Sequence, residues 1–446
     1  MILAAVDDLM LASKIRQAAA GAGVDLVFPR SPADLVERTR ALRPALLIFD
    51  LNSARLEPLA TIARLKADAS LASIPTLAFV SHVQGDLIAA SRAAGVDRVL
   101  ARSAFFEQLP HILAETDVNT HHRADEITLA RIHHARQRIA PHVRRTPLVQ
   151  SAWLSEISGA DVRLKLEPLQ VTNSFKARGT TNLALALLEH LAAGTAASVL
   201  VTASAGNAGR AFAYAAERFG LKATVFTPRH APRTKLDAIR RHGADLRAEA
   251  DTYEDAERLA KAYAADNGLT YTSPYSHPDL IAGFGTVAIE VFEEFPGVDM
   301  FLVPVGGGGL ISGVAIAAKG LLPGVRIVGV EAEASQAFTT AVREGRITEV
   351  PVGPTIADGL AGNMDPDTIT FDLVRRHVDD LTQVSEERLA DGIRGLVANE
   401  RVIAEGAGIA GVAAVLAGRL DLKGRRVAIV VSGGNIDTER LRAILG

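Results

Sequence analysis

The first quarter of the chain alternates short apolar runs with stretches whose apolar residues recur at helical spacing. The apolar runs are Ile2–Val6, Ala45–Phe49, Thr76–Val80 and Arg98–Ala101. Strands of this length that alternate with helices are typical of a parallel α/β sheet. The pattern therefore predicts an α/β domain over residues 1–114.

A longer alternation of the same kind starts near residue 126, after residues 115–125, which have no apolar period and predict a linker. Its apolar runs are Val162–Leu166, Ser198–Thr202, Ala223–Thr227, Phe301–Val305, Ile327–Glu331 and Val427–Val431. Residues 126–446 are enough for two lobes with a cleft between them. We expect a large lobe of about residues 126–195 and 277–446 and a small lobe of about residues 196–276.

The composition narrows the classes of protein to which the chain can belong. Lys and Arg number 48 against 51 Asp and Glu in 446 residues, so the net charge of −3 gives no positive field for a nucleic acid. The chain has no cysteine, which excludes disulfides, thiolate nucleophiles and cysteine-ligated zinc. The apolar start meets Asp7 after six residues, too short for a signal peptide or a membrane span. We expect a cytoplasmic protein whose partners are small molecules.

Polar side chains follow three of the predicted strands in the first domain. Asp7 and Asp8 follow the first strand, Asp50 the second and Ser81 the third. Because the carboxyl ends of parallel strands lie at one edge of a sheet, we expect these side chains to lie together where ligands usually bind. In these residues the domain resembles a response-regulator receiver domain with a flavodoxin-like fold. The resemblance implies that the acid pair holds Mg²⁺, that Asp50 accepts a phosphoryl group and that Ser81 senses it.

The domain also departs from the receiver pattern in two places. Arg102 stands where that family has a lysine, and no Met-Pro pair occurs at Asn52–Arg55, after the acceptor position. A Mg²⁺ site tolerates few changes of ligand. Two interpretations stay open: a phosphorylated switch at Asp50, or a degenerate domain in which Asp50 only ends a strand and the surface docks a signalling partner.

The strongest local signal for chemistry is a glycine run between the strand Phe301–Val305 and a helical segment, Ile311–Lys319. The run consists of Gly306, Gly307, Gly308 and Gly309, followed by Leu310. Without side chains, consecutive backbone N–H groups can converge on an anion at the positive end of a helix. The run has neither a Gly-Lys-Ser/Thr ending nor the Gly-x-Gly-x-x-Gly pattern, so a lone phosphomonoester is the expected ligand. A flexible turn is the alternative.

Lys176 opens an apolar helical segment, Ala177 to Leu191. The positive helix end and a desolvated pocket both lower the pKa of such a lysine, so that more neutral amine is available to form an imine with an aldehyde. Taken alone, a lysine is more often a solvated surface charge. The sequence therefore offers two interpretations of Lys176, an aldehyde-binding amine and a surface charge.

Two other strand ends carry polar groups. The turn after Ser198–Thr202 contains Ser204, Ala205, Gly206 and Asn207, whose amides can bind a carboxylate. The strand Val427–Val431 brings the hydroxyl of Ser432 to a sheet edge. Helix capping by either serine is the alternative. Together, an aldehyde-seeking lysine, a phosphate loop, a carboxylate turn and a hydroxyl at a strand end predict a site for pyridoxal phosphate.

Short motifs stand in a characteristic order from about residue 126 to residue 446. They are Arg145–Leu148, Lys165–Glu167, Ser174–Gly179, Gly306–Gly309, Thr355–Ala361, Ala404–Gly408 and Ser432–Asn435. In these motifs the chain resembles the fold-type II pyridoxal phosphate enzymes, and among them the threonine/serine dehydratase and serine racemase family. The resemblance implies a two-lobed fold like that of the tryptophan synthase β subunit, pyridoxal 5′-phosphate as the cofactor and a homodimer.

The resemblance also implies a role for each motif. Lys176 binds the cofactor covalently and removes the substrate α-proton, while the loop from Gly306 to Leu310 holds the phosphate. Asn207 bonds the 3′-oxygen of the ring and Ser432 bonds the ring nitrogen. The implied reaction is β-elimination from L-threonine or L-serine, which yields a 2-oxo acid and ammonia. Racemases of the family carry a serine as proton donor where this chain has Ala205, so we expect an ammonia-lyase of the dehydratase type.

Three positions near these motifs depart from the family pattern: Asn173 replaces a common glycine, Ala208 a histidine and Phe284 a glutamine. They leave two alternatives open, a dehydratase for a bulkier β-hydroxy amino acid and a pyridoxal phosphate sensor or scaffold with little turnover.

The family's cation site needs an acidic residue a few positions after Glu331, and Ser335–Ala337 supplies none. We expect no required metal.

Overall fold

The structure is a computed structural model, and it describes residues 2–21, 24, 26–42, 44, 46–68, 71, 74–81, 84–120, 127–192 and 199–446. The chain divides into two compact units, Met1–Glu126 and Ile127–Gly446. Each unit has its own sheets and its own core. Among the described residues, no helix is both long enough and apolar enough to cross a bilayer.

The first unit is a five-stranded parallel sheet with helices on both faces. Its strands are β1 (Ile2–Ala5), β2 (Leu26–Val27), β3 (Leu46–Asp50), β4 (Thr76–Val80) and β5 (Arg98–Ala101). Its helices are α1 (Leu9–Gly21), α2 (Pro32–Leu42), α3 (Pro58–Ala67), α4 (Gly85–Ala93) and α5 (Arg102–Thr120). The strand order is β2-β1-β3-β4-β5. Successive strand residues pack on opposite faces: Ile2 joins the core under α1 and α5, whereas Leu3 joins the core under α2 and α3.

The parallel sheet that the apolar runs predict is present in the first unit. The predicted runs correspond to β1, β3, β4 and β5, whereas β2 is a two-residue edge strand that the pattern does not predict. The linker predicted at 115–125 differs from the structure in its first half, because α5 continues to Thr120 with no glycine or proline after Pro110 to end it. The rest of that linker lies outside the described residues, as do Ala45 and Ser198, the first residues of two predicted strands.

The second unit contains most of the helices of the chain. Its strands are β6 (Leu148–Gln150), β7 (Asp161–Leu166), β8 (Val199–Ala203), β9 (Lys222–Pro228), β10 (Asp245–Ala250), β11 (Met300–Pro304), β12 (Arg326–Ala332), β13 (Asp380–Val384) and β14 (Arg426–Val431). Its helices are α6 (Leu129–Ile139), α7 (Ala152–Ser158), α8 (Lys176–Ala192), α9 (Asn207–Phe219), α10 (Arg233–Arg240), α11 (Tyr253–Asp266), α12 (Pro278–Glu294), α13 (Gly309–Leu321), α14 (Ala337–Glu344), α15 (Thr370–His377), α16 (Glu386–Gly395), α17 (Ala410–Leu416) and α18 (Thr438–Leu445).

The strands of the second unit form two sheets. One has the order β13-β12-β11-β14-β7-β6, parallel except for β6, which runs antiparallel to β7. The other has three parallel strands in the order β10-β9-β8. The predicted apolar runs correspond to β7, β8, β9, β11, β12 and β14. The strands that the pattern misses, β6, β10 and β13, lie at sheet edges, where partial exposure removes the continuous apolar run of a buried strand.

A buried aromatic ring on α12 lies between the first turns of α8 and α13. A Cβ on Gly179 of α8 would lie 2.2 Å from the ring of Phe284, and a Cβ on Gly309 of α13 would lie 3.3 Å from the same ring. The absence of side chains at both glycines therefore lets the two helices begin on either side of Phe284. This packing holds the N-terminal turns of α8 and α13 close to one another.

Candidate active site

Lys176 is the first residue of α8, and its amine has no carboxylate partner among the described residues. Nζ donates a hydrogen bond of 2.7 Å to the backbone oxygen of Pro274. It lies 5.2 Å and 5.4 Å from the ring centres of Phe175 and Phe284. Burial removes water from the amine and lowers the pKa of Lys176 to about 7. About half of the amine is therefore neutral at pH 7, and the neutral form is the one that attacks an aldehyde.

A buried ion network two residues further along fixes the start of α8. The guanidinium of Arg178 makes paired hydrogen bonds of 2.8 Å with Glu167 and with Glu290. Lys165 donates to Glu290 at 2.7 Å. Burial raises the pKa of Glu290, but the hydrogen bonds and charges of Arg178 and Lys165 outweigh burial and lower this pKa to about 2. Two positive and two negative charges thus satisfy one another without involving Lys176.

The glycine run connects β11 to α13. A Cβ on Gly307 would lie 2.3 Å from the ring of Tyr275, and one on Gly308 would lie 2.4 Å from the ring of Phe338. Gly308 also has a φ of 81°, a conformation that favours glycine. Four consecutive backbone N–H groups have no hydrogen-bond acceptor within the described chain: Gly306, Gly307, Gly308 and Gly309. Free N–H groups at a helix start, without side chains in front of them, form an anion site.

The turn between β8 and α9 contains the residues predicted to bind a carboxylate. They are Ser204, Ala205, Gly206 and Asn207. The hydroxyl of Ser204 accepts a hydrogen bond of 3.2 Å from the N–H of Gly206. Nδ2 of Asn207 donates to Oε1 of Glu405 at 2.5 Å, and Oδ1 accepts from Nδ2 of Asn435 at 2.7 Å. Ser204 therefore shapes the turn, and the amide of Asn207 is held in one orientation.

Ser432 follows the last residue of β14 and is buried. Its backbone oxygen accepts a hydrogen bond of 3.0 Å from the N–H of Phe175. The next residue, Gly433, pairs with Ser174 in an isolated antiparallel bridge. A Cβ on Gly433 would lie 3.2 Å from Nδ2 of Asn207. The end of β14 is thus joined to the loop before α8 on one side and to the start of α9 on the other.

The lysine and the glycine run are linked through two consecutive residues. Pro274 accepts the hydrogen bond of Lys176, and the ring of Tyr275 packs on Gly307. A phosphorylated aldehyde with polar ring atoms requires a neutral amine, an anion site and hydrogen-bonding side chains. The described residues supply all three, so they fit pyridoxal phosphate.

Two residues of the site have no role assigned by the sequence patterns. Burial raises the pKa of Glu405 to about 7. Asn435 donates both to Asn207 and to the backbone oxygen of Thr172. The signal that could identify them is their position inside the motifs Ala404–Gly408 and Ser432–Asn435, on which the family resemblance rests.

A cavity of about 390 Å³ opens beside these residues. Its lining includes Glu405 and Asn435 from the site, Lys235 from α10 and Asp358. Nζ of Lys235 contacts the carboxylate of Asp358, so an ion pair joins the two sides of the cavity.

The departures from the family pattern fit their surroundings. Asn173 has a φ of 60°, in the left-handed region where glycine is favoured and asparagine is tolerated. Ala208 is buried in the core of the second unit. Phe284 is fully buried, and its ring packs edge-on against Phe175 with 4.8 Å between ring centres. Phe284 therefore adds apolar surface beside Lys176 and contributes to the desolvation of its amine.

The predicted site in the first unit differs from the one in the second unit in the hydrogen bonding of its polar groups. Oγ of Ser53 donates to Asp7 at 2.7 Å. The carboxylate of Asp8 accepts from two N–H groups at the start of α1, at 2.8 Å and 3.0 Å. The N–H and the hydroxyl of Ser81 both donate to Oδ1 of Asn52 at 2.9 Å. The predicted metal ligands Asp7 and Asp8 and the predicted sensor Ser81 are therefore bonded to neighbouring protein groups.

Asp50 ends β3 and is 3% exposed. Its carboxylate accepts from the N–H of Asn52 at 3.0 Å, and Nη2 of Arg102 lies 3.9 Å away. Burial raises the pKa of Asp50, although the hydrogen bond from Asn52 and the charge of Arg102 act against burial. Asp50 is thus a buried acid whose charged form is only partly compensated.

The carboxylate of Glu331, which precedes the position where the family pattern has a further acid, is bonded to other protein groups. Its carboxylate accepts from the N–H of Phe338 at 2.8 Å and from the N–H and hydroxyl of Thr339 at 2.9 Å and 2.5 Å. These bonds satisfy free N–H groups at the start of α14. Among the residues that the structure describes, no group of three or more His, Asp or Glu side chains is placed to hold a metal ion.

The second unit is similar to known proteins. Residues 139–433 match the protein family described as pyridoxal-phosphate dependent enzyme. The L-threonine ammonia-lyase of Thermotoga maritima is 42% identical over 319 residues, which are 72% of this chain and 78% of that protein. A solved threonine deaminase structure is 35% identical with a TM-score of 0.63, and the match covers 70% of this chain and 99% of that chain. The structure of maize serine racemase is 32% identical with a TM-score of 0.66, covering 71% of this chain and 96% of that chain.

Proposed function

The chain belongs to the pyridoxal-phosphate dependent enzyme family, and from this premise we propose that it is an ammonia-lyase that converts L-threonine or L-serine into a 2-oxo acid and ammonia. The relatives named L-threonine ammonia-lyase and threonine deaminase support the choice of reaction. The observation that carries the proposal is the amine of Lys176, which has a pKa of about 7 and is linked through Pro274 and Tyr275 to a glycine run with free N–H groups.

When bound, pyridoxal phosphate supplies an aldehyde that joins to amines and a ring that withdraws electrons from the substrate α-carbon. We assign covalent attachment to Lys176 and phosphate binding to the glycine run with Leu310. Asn207 would donate an N–H to the 3′-oxygen of the cofactor, and the hydroxyl of Ser432 would bond its ring nitrogen. Because this hydroxyl is neutral, it stabilises a protonated ring nitrogen less than a carboxylate would.

Lys176 also acts as a base. In its neutral form, Nζ accepts the α-proton of the amino-acid substrate. The pKa of about 7 suits this role, because the amine is substantially neutral at neutral pH and can still hold a proton. The β-hydroxyl leaves as water and a later hydrolysis takes up one water, so threonine yields 2-oxobutanoate, serine yields pyruvate, and each yields one ammonia.

The turn from Ser204 to Asn207 is assigned to the substrate carboxylate. It precedes the first turn of α9, where backbone N–H groups and the helix dipole favour a negative charge. Ala205 stands where racemases of the family carry a serine as proton donor, and its methyl group has no acidic proton to return to the α-carbon. Elimination is therefore favoured over racemisation.

The three-stranded sheet is assigned to a small lobe of about residues 196–276, and the six-stranded sheet to a large lobe of about residues 126–195 and 277–446. This division is supported by the separate strand orders of the two sheets. The cavity beside Glu405 is lined from α10 in the small lobe and by Asp358 in the large lobe, which agrees with a cleft between lobes.

Residues 1–114 are assigned to a receiver-related domain with a flavodoxin-like fold, because the order β2-β1-β3-β4-β5 is the order of that fold. The hydrogen bonds of Asp7 to Ser53 and of Ser81 to Asn52 favour a degenerate docking domain for a signalling partner over a phosphorylated switch. A homodimer and a cytoplasmic location stay predictions.

The test of the reaction is turnover by the purified holoenzyme with L-serine, L-threonine and longer β-hydroxy amino acids. The proposal predicts 2-oxo acid and ammonia in equal amounts from threonine or serine. Turnover confined to the longer substrates would indicate a bulkier substrate class, and cofactor binding without any turnover would indicate a sensor or scaffold. Either result contradicts the proposal. A repeat after treatment with acetyl phosphate should give the same rates if the first unit is degenerate.

A further inference from the structure

A chain of three hydrogen bonds runs through the site from Arg210 to Glu405. Nη1 of Arg210 donates to Oδ1 of Asn435 at 2.6 Å. Nδ2 of Asn435 donates to Oδ1 of Asn207 at 2.7 Å, and Nδ2 of Asn207 donates to Oε1 of Glu405 at 2.5 Å. A cation at one end is thus joined through two amides to a carboxyl group at the other.

Chemistry determines the direction of this chain. A guanidinium has only donors, so the amide of Asn435 must turn its oxygen towards Arg210. The nitrogen of Asn435 then faces Asn207, and it also donates to the backbone oxygen of Thr172 at 3.0 Å. Asn207 must therefore accept with its oxygen, which leaves its nitrogen for Glu405. Arg210 on one side of Asn435 and the backbone oxygen of Thr172 on the other thus favour the same orientation of the Asn207 amide, and Arg210 acts on it from two hydrogen bonds away.

We propose that Arg210 is a positioning residue of the cofactor site, which acts through Asn435 to keep an N–H group of Asn207, and not its carbonyl oxygen, available to the ring oxygen of the cofactor. This inference rests on the proposed function, because it takes Asn207 as the contact of that oxygen. Nδ2 of Asn207 carries two hydrogens, and Glu405 uses one of them. The other hydrogen remains for the ring oxygen of the cofactor. In a reversed amide, the carbonyl oxygen of Asn207 would face that ring oxygen, and the two oxygens would repel each other.

The surroundings of Arg210 disfavour its positive charge. Burial, together with the positive charge of Arg241, lowers the pKa of Arg210. Its Nε is buried and has no hydrogen-bond partner among the described residues. Nη2 reaches Oδ1 of Asn173 at 3.3 Å, in the loop before Lys176. A neutral side chain would avoid the cost of burying charge, but a group with donors only can bond Asn435 solely through its oxygen, and so reinforces the direction that the backbone oxygen of Thr172 also favours.

The first test compares Arg210→Gln with Arg218→Gln, which removes an exposed arginine from the same helix. Glutamine can offer either its nitrogen or its oxygen to Asn435, so it no longer determines the direction of the chain. The readouts are the dissociation constant of the cofactor and the visible absorption maximum of the holoenzyme, both measured without substrate. We expect about tenfold weaker binding and a shifted maximum for Arg210→Gln. Wild-type values are expected for Arg218→Gln, and wild-type values for both variants would overturn the proposal.

A second variant, Asn435→Asp, separates an orienting role from a purely structural pairing. Aspartate keeps an acceptor for Arg210 but has no N–H for Asn207. The proposal predicts weaker cofactor binding, by about tenfold, with a melting temperature within a few degrees of wild type. Unchanged affinity and an unchanged absorption maximum in this variant would show that the pairing with Arg210 is structural only.

The decisive comparison places Arg210→Gln in an Asn207→Ala background. If Arg210 acts through Asn207, the substitution has no further effect on cofactor affinity once Asn207 is removed. The same tenfold loss in both backgrounds would contradict the proposal. None of these readouts uses an amino acid, so a wild-type protein that binds the cofactor but forms no 2-oxo acid would disprove the proposed function and leave this inference standing.

Discussion

Two sheet edges in this protein carry similar sequence signals and differ in what their polar groups do. At the edge of the first unit, Asp7 accepts a hydrogen bond from Ser53, and Ser81 donates to Asn52. At the edge of the second unit, four consecutive N–H groups of the glycine run have no acceptor within the described chain. Buried or helix-end polar groups normally find partners, so a set that the protein leaves unsatisfied indicates a ligand. Polar residues at strand ends are therefore a weaker signal than unsatisfied ones.

The same difference separates two lysines of the second unit. Lys165 is fully buried and lies 2.7 Å from Glu290, which also binds Arg178. Burial lowers the pKa of both Lys165 and Lys176, but among the described residues only Lys165 has a carboxylate that opposes this effect. Lys176 is consequently the lysine whose neutral form is accessible near neutral pH.

The largest effect that we expect is the loss of activity in Lys176→Ala, which tests whether Lys176 is the reactive lysine. If Lys176 has the two roles proposed for it, cofactor attachment and proton removal, the variant loses both, and the rate of 2-oxo acid formation should fall at least about a thousandfold. The matched control is Lys222→Ala, which removes an exposed lysine of β9 and should leave the rate unchanged. Comparable rates in the two variants would remove Lys176 from the active site.

The next effect concerns the glycine run. In Gly307→Ala the new Cβ would lie 2.3 Å from the ring of Tyr275, so the loop must shift and its N–H groups lose their alignment. We expect the affinity for pyridoxal phosphate to fall between about tenfold and a hundredfold. Gly324→Ala is the control, because nothing lies within 4 Å of a Cβ at that position. Equal affinities for the two variants, in a titration of the apoprotein, would show that the run does not bind the phosphate.

A smaller effect is the pH dependence of cofactor capture by the apoprotein. Only neutral Lys176 reacts, and with a pKa of about 7 its neutral fraction rises about tenfold between pH 6 and pH 8 and then levels off. A lysine with an ordinary pKa near 10.4 would gain about a hundredfold over the same range. Stopped-flow measurement of the rate of covalent capture distinguishes the two, and a hundredfold rise would contradict the desolvated amine.

The smallest effect belongs to the first unit, in Asp50→Asn. Burial raises the pKa of Asp50 in the folded state above its value in the unfolded state. The first unit therefore loses stability as the pH rises from the unfolded-state pKa through the folded-state pKa. The substitution should therefore stabilise the first unit above pH 6, by about 1 kcal/mol, and have no effect near pH 3, where the carboxyl is neutral. Hydrogen exchange of the β1, β3 and β4 amides in the full chain measures this, and destabilisation above pH 6 would mean that the carboxylate has a favourable partner.

Much of the architecture could be predicted because buried strands are continuous apolar runs. β11 and β14 are such runs, and their ends locate the glycine run and Ser432 directly. The edge strands β10 and β13 could not be predicted, since partial exposure interrupts their apolar pattern. The local sequence therefore predicts the buried central strands of each sheet better than the edge strands.

The bonding state of the polar groups could not be predicted, because it depends on contacts that are distant in sequence. Asn207 is 198 residues from Glu405 and 228 residues from Asn435, its two hydrogen-bond partners. Ser53 is 46 residues from Asp7. The sequence patterns locate the candidate groups in both units, but only the fold shows which of them are bonded to other protein groups and that the N–H groups of the glycine run are not.

The most direct test of the central claim is reduction of the holoenzyme with borohydride, followed by peptide mapping by mass spectrometry. Reduction fixes the cofactor to the amine that holds it. The account predicts one labelled peptide, with the mass of the reduced cofactor on Lys176. A label on another lysine, such as Lys165, or no label on a protein that contains the cofactor, would contradict it.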